Sequence, residues 1–277
     1  MNLLYCGDKK MEDGFMMSVI SIARQSQEPI EVYILTMEWE KDGKIYEEFS
    51  VNCADKAERY LKTINRNSFV KRILLPDVLK KQLEGENVKT RFTPYCMLRL
   101  FADLLKELPD KILYLDADVI CRKNPNELYS IDVEEYEVAG VLDYYGSWFF
   151  RTRWYRRDYI NSGVLLLNLK RIRENGLFME CRNLCKNKKM FMPDQSAINK
   201  LAQSKKVLPR KFNEQRRLKK STCFQHFTTS FRFFPWLHTI TVKPWENEKM
   251  HRILGLYEYD EIYELMVSLR GKERKAV

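Results

Sequence analysis

Lys111-Ile112-Leu113-Tyr114-Leu115-Asp116-Ala117-Asp118-Val119-Ile120 is the stretch that decides how the chain folds. Ile112 to Leu115 is a short apolar run next to the charged pair Asp110-Lys111, and such a run reads as a strand buried on both faces of a parallel sheet. Asp116 and Asp118 fall where that strand should end. Side chains along an extended chain alternate with a period of two, so both carboxylates are expected on one side, with the small Ala117 between them. So placed, they either hold one divalent cation or stand as solvated, turn-forming acids. In open α/β sheets the ligand crevice lies outside the carboxyl ends of the strands, which is where this pair stands.

Outward from this stretch, strands and helices alternate. Residues 2–6 make a short strand broken by Gly7-Asp8, a point suited to a ligand-facing turn. Residues 14–23 carry apolar side chains at helical spacing, 30–35 read as a second strand, 56–65 as a helix and 70–75 as another extended run. The polar residues 37–53 show no clear period. Residues 93–106 are expected as a helix leading into the central strand, with Arg99 among apolar neighbours. That cation either meets an anionic partner near Asp116 or packs its stem and lifts its head to water. Further on, residues 138–142 form a strand closed by Asp143, and Ile160-Asn161-Ser162-Gly163 reads as a turn into the strand 164–169. Pro193-Asp194-Gln195-Ser196 opens a helix in which Asp194 is a first-turn cap or a functional acid. The pattern predicts an α/β fold: a mostly parallel, Rossmann-like sheet flanked by helices, with right-handed crossovers. One domain is expected over residues 1–247, with a C-terminal helix (257–269) and a basic tail as an appendage at 248–277.

With 277 residues and 45% hydrophobic content the chain can bury a sizeable core. No window approaches the ~18 apolar residues of a membrane-spanning helix, and the first residues do not read as a signal peptide. Seven scattered cysteines point to reduced thiols in the cytosol. Cys181 and Cys185 have helical spacing but no second pair to complete a zinc site. The formal charge of +10 is concentrated in two places. Arg151, Arg153, Arg156 and Arg157 alternate with aromatic residues in the stretch 144–159, a candidate lid or acceptor-binding loop, and a second cluster runs from Lys205 to Lys220. Such patches either attract phosphates or are simply solvated. No nucleic-acid motif accompanies them. Of three histidines, His226 and His238 lie close together in sequence, and a neutral imidazole beside two carboxylates would suit manganese or a similar ion.

Taken in order, these motifs resemble the family 8 retaining glycosyltransferases, the bacterial galactosyltransferase-like and glycogenin-like enzymes, over nearly the whole chain. The resemblance implies a GT-A fold and a UDP-sugar donor bound through Tyr5, Gly7 and Asp8, although Lys9-Lys10-Met11 departs from the family's acid-Asn-Tyr pattern. Tyr95…Arg99-Leu100 is similar to the helix that contacts diphosphate and sugar, and Asp116-Ala117-Asp118 to the metal-binding DxD signature. Asp143, Asn161-Ser162-Gly163 and Asp194-Gln195 look like the groups around the donor sugar and its anomeric centre. His226, with His238 as the alternative, and Lys243-Pro244-Trp245 resemble the C-terminal signature, here without its usual glycine. The resemblance further implies Mn²⁺ or Mg²⁺ as cofactor and transfer of glucose or galactose to a glycan or glycolipid acceptor. The expected location is the cytoplasm, with peripheral contact at an anionic inner membrane face. Gln195 is too poor a nucleophile for a double displacement, so same-face transfer is expected. The rival reading is a non-catalytic protein of transferase-like fold that binds carbohydrate or an anionic polymer; nucleic acid is not an expected partner.

Overall fold

The central strand splits its apolar run between two cores. Leu113 and Leu115 face one side of the sheet with Leu3 and Tyr5, while Ile112 and Tyr114 face the other with Leu4. Period-two alternation in a strand covered on both faces produces this division. The structure, a computed structural model, describes residues 1–41, 43–85, 87, 94–144, 158–232 and 238–271. Its strands are β1 (Asn2–Cys6), β2 (Glu31–Thr36), β3 (Trp39–Lys41), β4 (Lys44–Tyr46), β5 (Phe69–Leu74), β6 (Lys111–Leu115) and β7 (Val119–Cys121). They continue with β8 (Val138–Leu142), β9 (Ile160–Asn168), β10 (Lys205–Leu208), β11 (Phe224–His226), β12 (Ser230–Arg232) and β13 (His238–Ile240).

Seven of these form one sheet in the order β10-β8-β9-β6-β1-β2-β5. Every neighbouring pair is parallel except those made by β9, which runs antiparallel to both β6 and β8. The central strand therefore has one parallel and one antiparallel neighbour within the mostly parallel sheet that was expected. The reversal brings the first residues of β9 to the edge where β6 and β8 end, with Leu115 opposite Val164 and Leu142 opposite Ile160. The turn expected at 160–163 is accordingly the start of the strand itself.

On one face lies α1 (Glu12–Ala23), buried on nearly every side because the sheet covers one flank and α6 (Asp260–Arg270) another. Beside it α2 (Val51–Ile64) buries Cys53, Ala54, Ala57 and Leu61, one stripe at helical spacing, and Ser50 caps it by accepting from Cys53 N at 3.2 Å. The opposite face is covered by α3 (Leu169–Asn175), α4 (Leu177–Asn187), α5 (Pro193–Leu201) and a 3₁₀ helix, Pro94–Leu104. A helix was expected there, and its form is 3₁₀. Within it the Arg99 side chain donates back to Cys96 O at 3.0 Å. Among the described residues no helix is long and apolar enough to cross a membrane. All seven cysteines are free thiols.

Candidate active site

Asp116 and Asp118 do converge, but pleat alternation is not the cause. The strand ends at Leu115 and the acids sit in a turn, with Val119 N donating to Asp116 O at 3.2 Å. Immediately after that turn β7 pairs antiparallel with β11, setting Val119 opposite His226, and Phe227 N donates to Asp118 O at 3.0 Å. The imidazole is thereby brought to both acids: Nε2 lies 3.2 Å from Asp118 Oδ1 and 3.7 Å from Asp116 Oδ2. One ligand atom from each of the three residues falls within 4.8 Å of the others.

Gly163 leaves the room this requires. Its backbone O accepts from Asp116 N at 2.8 Å, and a Cβ built on it would stand 2.0 Å from His226 Cε1 and 2.8 Å from Asp116 Oδ2. Two carboxylates and one imidazole nitrogen gathered this closely fit a hard divalent cation. Lys243 Nζ also reaches Asp118 Oδ2 and donates to Phe227 O at 3.2 Å. Burial pushes the Asp118 carboxyl up, but His226 and Lys243 outweigh it and hold the group below the ordinary carboxylate range.

A polar cluster continues from the acids along the sheet edge. Arg99, 3% exposed, donates to Asp116 Oδ1 at 3.1 Å, lies 3.2 Å from Asp194 Oδ2 through Nε, and reaches Ser162 O through its remaining nitrogen. Its guanidinium stacks 3.9 Å from the Tyr114 ring centroid, and the Tyr114 hydroxyl donates to Asp116 Oδ1 at 2.6 Å. Of the two sequence expectations for Arg99, the anionic partner is the one observed. Burial works against the charge on Arg99, and Tyr114, Asp194 and Asp116 more than offset it. Asp194 and Gln195 stand in the first turn of α5, where Pro193 starts the helix. Burial pushes the Asp194 carboxyl above its ordinary value despite the opposing charge of Arg99. Gln195 Oε1 accepts from Ser162 N at 2.9 Å, and its Nε2 donates to Asp143 Oδ2 at 3.2 Å. Asn161 Nδ2 donates to the same Asp143 oxygen at 2.9 Å.

Other expected residues follow or lie on β1, the neighbour of β6 in the sheet. Asp8 follows β1 and caps the short 3₁₀ turn Lys9–Met11 by accepting from Lys10 N at 3.2 Å; burial raises its carboxyl. Gly7 N donates to Leu35 O at 3.1 Å. The Tyr5 ring is in the core, 5.0 Å from Phe15, with its hydroxyl 2.9 Å from Ser18 Oγ, so that side chain faces α1 and not the acids. His238 begins β13, but its side chain lies outside the described residues, as do residues 145–157 of the expected lid and their arginines. Part of the second basic cluster is paired: Lys205 with Asp158 at 2.8 Å, Arg210 with Glu214 at 2.6 Å and Lys211 with Glu127 at 2.6 Å.

Two residues at the site carried no sequence signal. Tyr114 reads only as part of an apolar strand, and Asn213 is a single amide between Phe212 and Glu214 in a basic stretch. Asn213 touches both His226 and Asn161.

A mainly parallel sheet with an acid pair after its central strand is the GT-A architecture of glycosyltransferases. The galactosyltransferase LgtC, solved in complex with donor and acceptor sugar analogs, matches with a TM-score of 0.68 at 17% identity, over 98% of this chain and 97% of that one. The glycosyltransferase GlyE of Streptococcus pneumoniae TIGR4 matches with a TM-score of 0.61 at 17% identity, over 95% of this chain and 63% of that one. Residues 2–249 match the model of glycosyl transferase family 8, and the chain belongs to that family. Glycosyltransferase GlyA of Streptococcus pneumoniae serotype 4 is 28% identical over 157 residues, which are 55% of this chain and 21% of that protein. Lipopolysaccharide 1,2-glucosyltransferase of Escherichia coli is 25% identical over 192 residues, 56% of either chain. The match thus spans about a fifth of GlyA and about half of the glucosyltransferase.

Proposed function

We propose that the protein is a metal-dependent, retaining hexosyltransferase that moves glucose or galactose from a UDP-sugar to a glycan or glycolipid acceptor. The observation that carries this reading is the meeting of Asp116, Asp118 and His226 within 4.8 Å, on the sheet edge that also holds Asp143, Asn161, Asp194 and Gln195. The three ligands would hold Mn²⁺ or Mg²⁺, which when bound supplies Lewis-acid stabilisation to the departing diphosphate. Lys243, next to Asp118, adds a second positive charge on that side. Each guanidinium nitrogen of Arg99 has a partner within the protein, and Arg99 would hold Asp116 and Asp194 in place beside the donor. Asp143, Asn161 and Asp194 would orient sugar hydroxyls, a positioning role. Gln195 and Asp194 would lie at the anomeric centre. The Gln195 amide is a poor nucleophile and the Asp194 carboxylate is held by Arg99 at 3.2 Å, so the acceptor would attack on the face the diphosphate leaves. Asp8 and the Gly7 backbone would meet the nucleobase. The net charge of +10 supports work at an anionic membrane face, on the cytoplasmic side.

The test is turnover of UDP-glucose and UDP-galactose with Mn²⁺ and with chelator, in wild type and Asp116→Asn. Metal-dependent turnover that falls by ~10²-fold or more in the variant is expected. Equal turnover by both proteins would remove the reading.

A further inference from the structure

Asn213 is fully buried and joins the two halves of the site. Its Nδ2 donates to Asn161 Oδ1 at 2.9 Å, and its Oδ1 stands 3.2 Å from His226 Nδ1. Which end of an amide is oxygen must be settled by its neighbours, and here the chain of neighbours starts at a group that cannot turn. The backbone N–H of Gly163 donates to Asn161 Oδ1 at 3.0 Å, so that atom is the amide oxygen; the other end of Asn161 faces the Asp143 carboxylate at 2.9 Å, as an NH₂ should. Asn213 therefore presents NH₂ to Asn161 and its oxygen to His226. An amide oxygen only accepts. In the neutral imidazole the proton must then sit on Nδ1, and Nε2 turns its lone pair toward Asp118 Oδ1 at 3.2 Å and Asp116 Oδ2 at 3.7 Å.

The mount is rigid. Asn213 N donates to Arg210 O at 3.1 Å, and the next residue bridges to the histidine's own strand, with Glu214 N donating to Phe224 O at 2.9 Å and His226 N to Glu214 O at 3.0 Å. We propose that Asn213 is a positioning residue that fixes the Nδ1–H tautomer of His226, making Nε2 a ligand for a divalent cation. Through Asn161 it also ties that ligand to the Asp143 and Gln195 cluster. The cation is the one in the reading above, and this inference rests on that part of it.

The experiment uses the full chain as wild type, Asn213→Leu and Asn213→Asp. Aspartate keeps an acceptor for Nδ1–H but has no N–H for Asn161. The readouts are the His226 tautomer from long-range ¹H–¹⁵N spectra of the metal-free protein, taken at alkaline pH where the imidazole is neutral, Mn²⁺ affinity by electron paramagnetic resonance without nucleotide, and KM for the UDP-hexose. Wild type is expected to show Nδ1–H. Asn213→Leu should lose that preference and ~10–100-fold in Mn²⁺ affinity, the usual effect of removing such a partner. Asn213→Asp should keep both and show a raised KM. A wild-type Nε2–H tautomer, or unchanged Mn²⁺ affinity in Asn213→Leu, overturns the proposal. Should the leucine variant not fold, the wild-type tautomer and the aspartate variant decide it. A wild type with the expected tautomer and metal affinity that turns over no UDP-hexose supports the role of Asn213 while removing the transferase reading.

Discussion

At Gly163 it is a missing side chain that makes the site possible. The position is extended strand, so any residue could adopt its backbone; what excludes a side chain is the 2.0 Å between a built Cβ and His226 Cε1. The imidazole cannot simply swing away, because Asn213 holds its other nitrogen and β11 holds its backbone. Gly163→Ala is therefore expected to displace His226 from the acids, at ~1–3 kcal/mol in stability from overpacking and ~10-fold or more in Mn²⁺ affinity. Urea unfolding and a metal titration read the two effects separately. Wild-type metal affinity in the alanine variant would mean that the ligands are not gathered around this gap. Gly14 has a related duty, since a Cβ there would meet the Trp245 ring at 2.4 Å and Ala117 O at 2.7 Å. The helix α1 is thus seated directly against the turn that carries the acids.

Elements are held to one another by a few polar ties across apolar faces. Glu58 on α2 accepts from Val70 N of β5 at 2.9 Å and pairs with Lys62, and these partners, Lys62 first, draw its carboxyl below the ordinary glutamate value. A depressed folded-state pKa gives stability that is present above the unfolded value and lost as pH falls through the folded one. Glu58→Gln keeps an acceptor for Val70 N but not the charge. It should cost under about 1 kcal/mol near neutrality, because the group is partly exposed, and the gap to wild type should close on acidification below the ordinary glutamate range. Urea midpoints at two pH values check this; a gap that widens toward acid would contradict it. The elements themselves were legible where one periodicity dominates: the strands around Leu4, Ile34 and Leu113 and the helices α1 and α5 lie within a few residues of their expected places. The direction of β9 was not, because a doubly buried apolar run looks the same parallel or antiparallel. That direction decides the site, since it turns an expected loop at Asn161 to Gly163 into strand laid beside Asp116. The order of acids and histidine could be read from the sequence. The pairing of β7 with β11 and the amide of Asn213 could not, because neither contact leaves a local pattern.

At the scale of the molecule, the question is whether residues 248–277 are an appendage or a part of the core. Ile262 and Met266 of α6, together with Tyr259, belong to the same apolar cluster as α1 and β7. The end of the helix is tied down as well. Arg270 pairs with Glu12 at 3.0 Å and with Asp13, and its carbonyl accepts from Lys56 Nζ. Glu12 is 3% exposed, and its other oxygen accepts from Ser50 N at 2.9 Å, at the cap of α2. One buried carboxylate therefore joins the start of α1, the start of α2 and the end of α6. Ending the chain at residue 247 would remove these three side chains and expose the apolar surface they cover on α1 and β7, at ~1.5–3 kcal/mol for each, and leave Glu12 without its cation. Against a typical stability of ~5–15 kcal/mol, that loss should lower the thermal midpoint steeply or prevent folding. The turn carrying Asp116 and Asp118 rests on α1, so metal affinity should fall in the same shortened chain. A protein ending at 247 that melts and binds Mn²⁺ like the full chain would instead establish the C-terminal segment as an independent appendage.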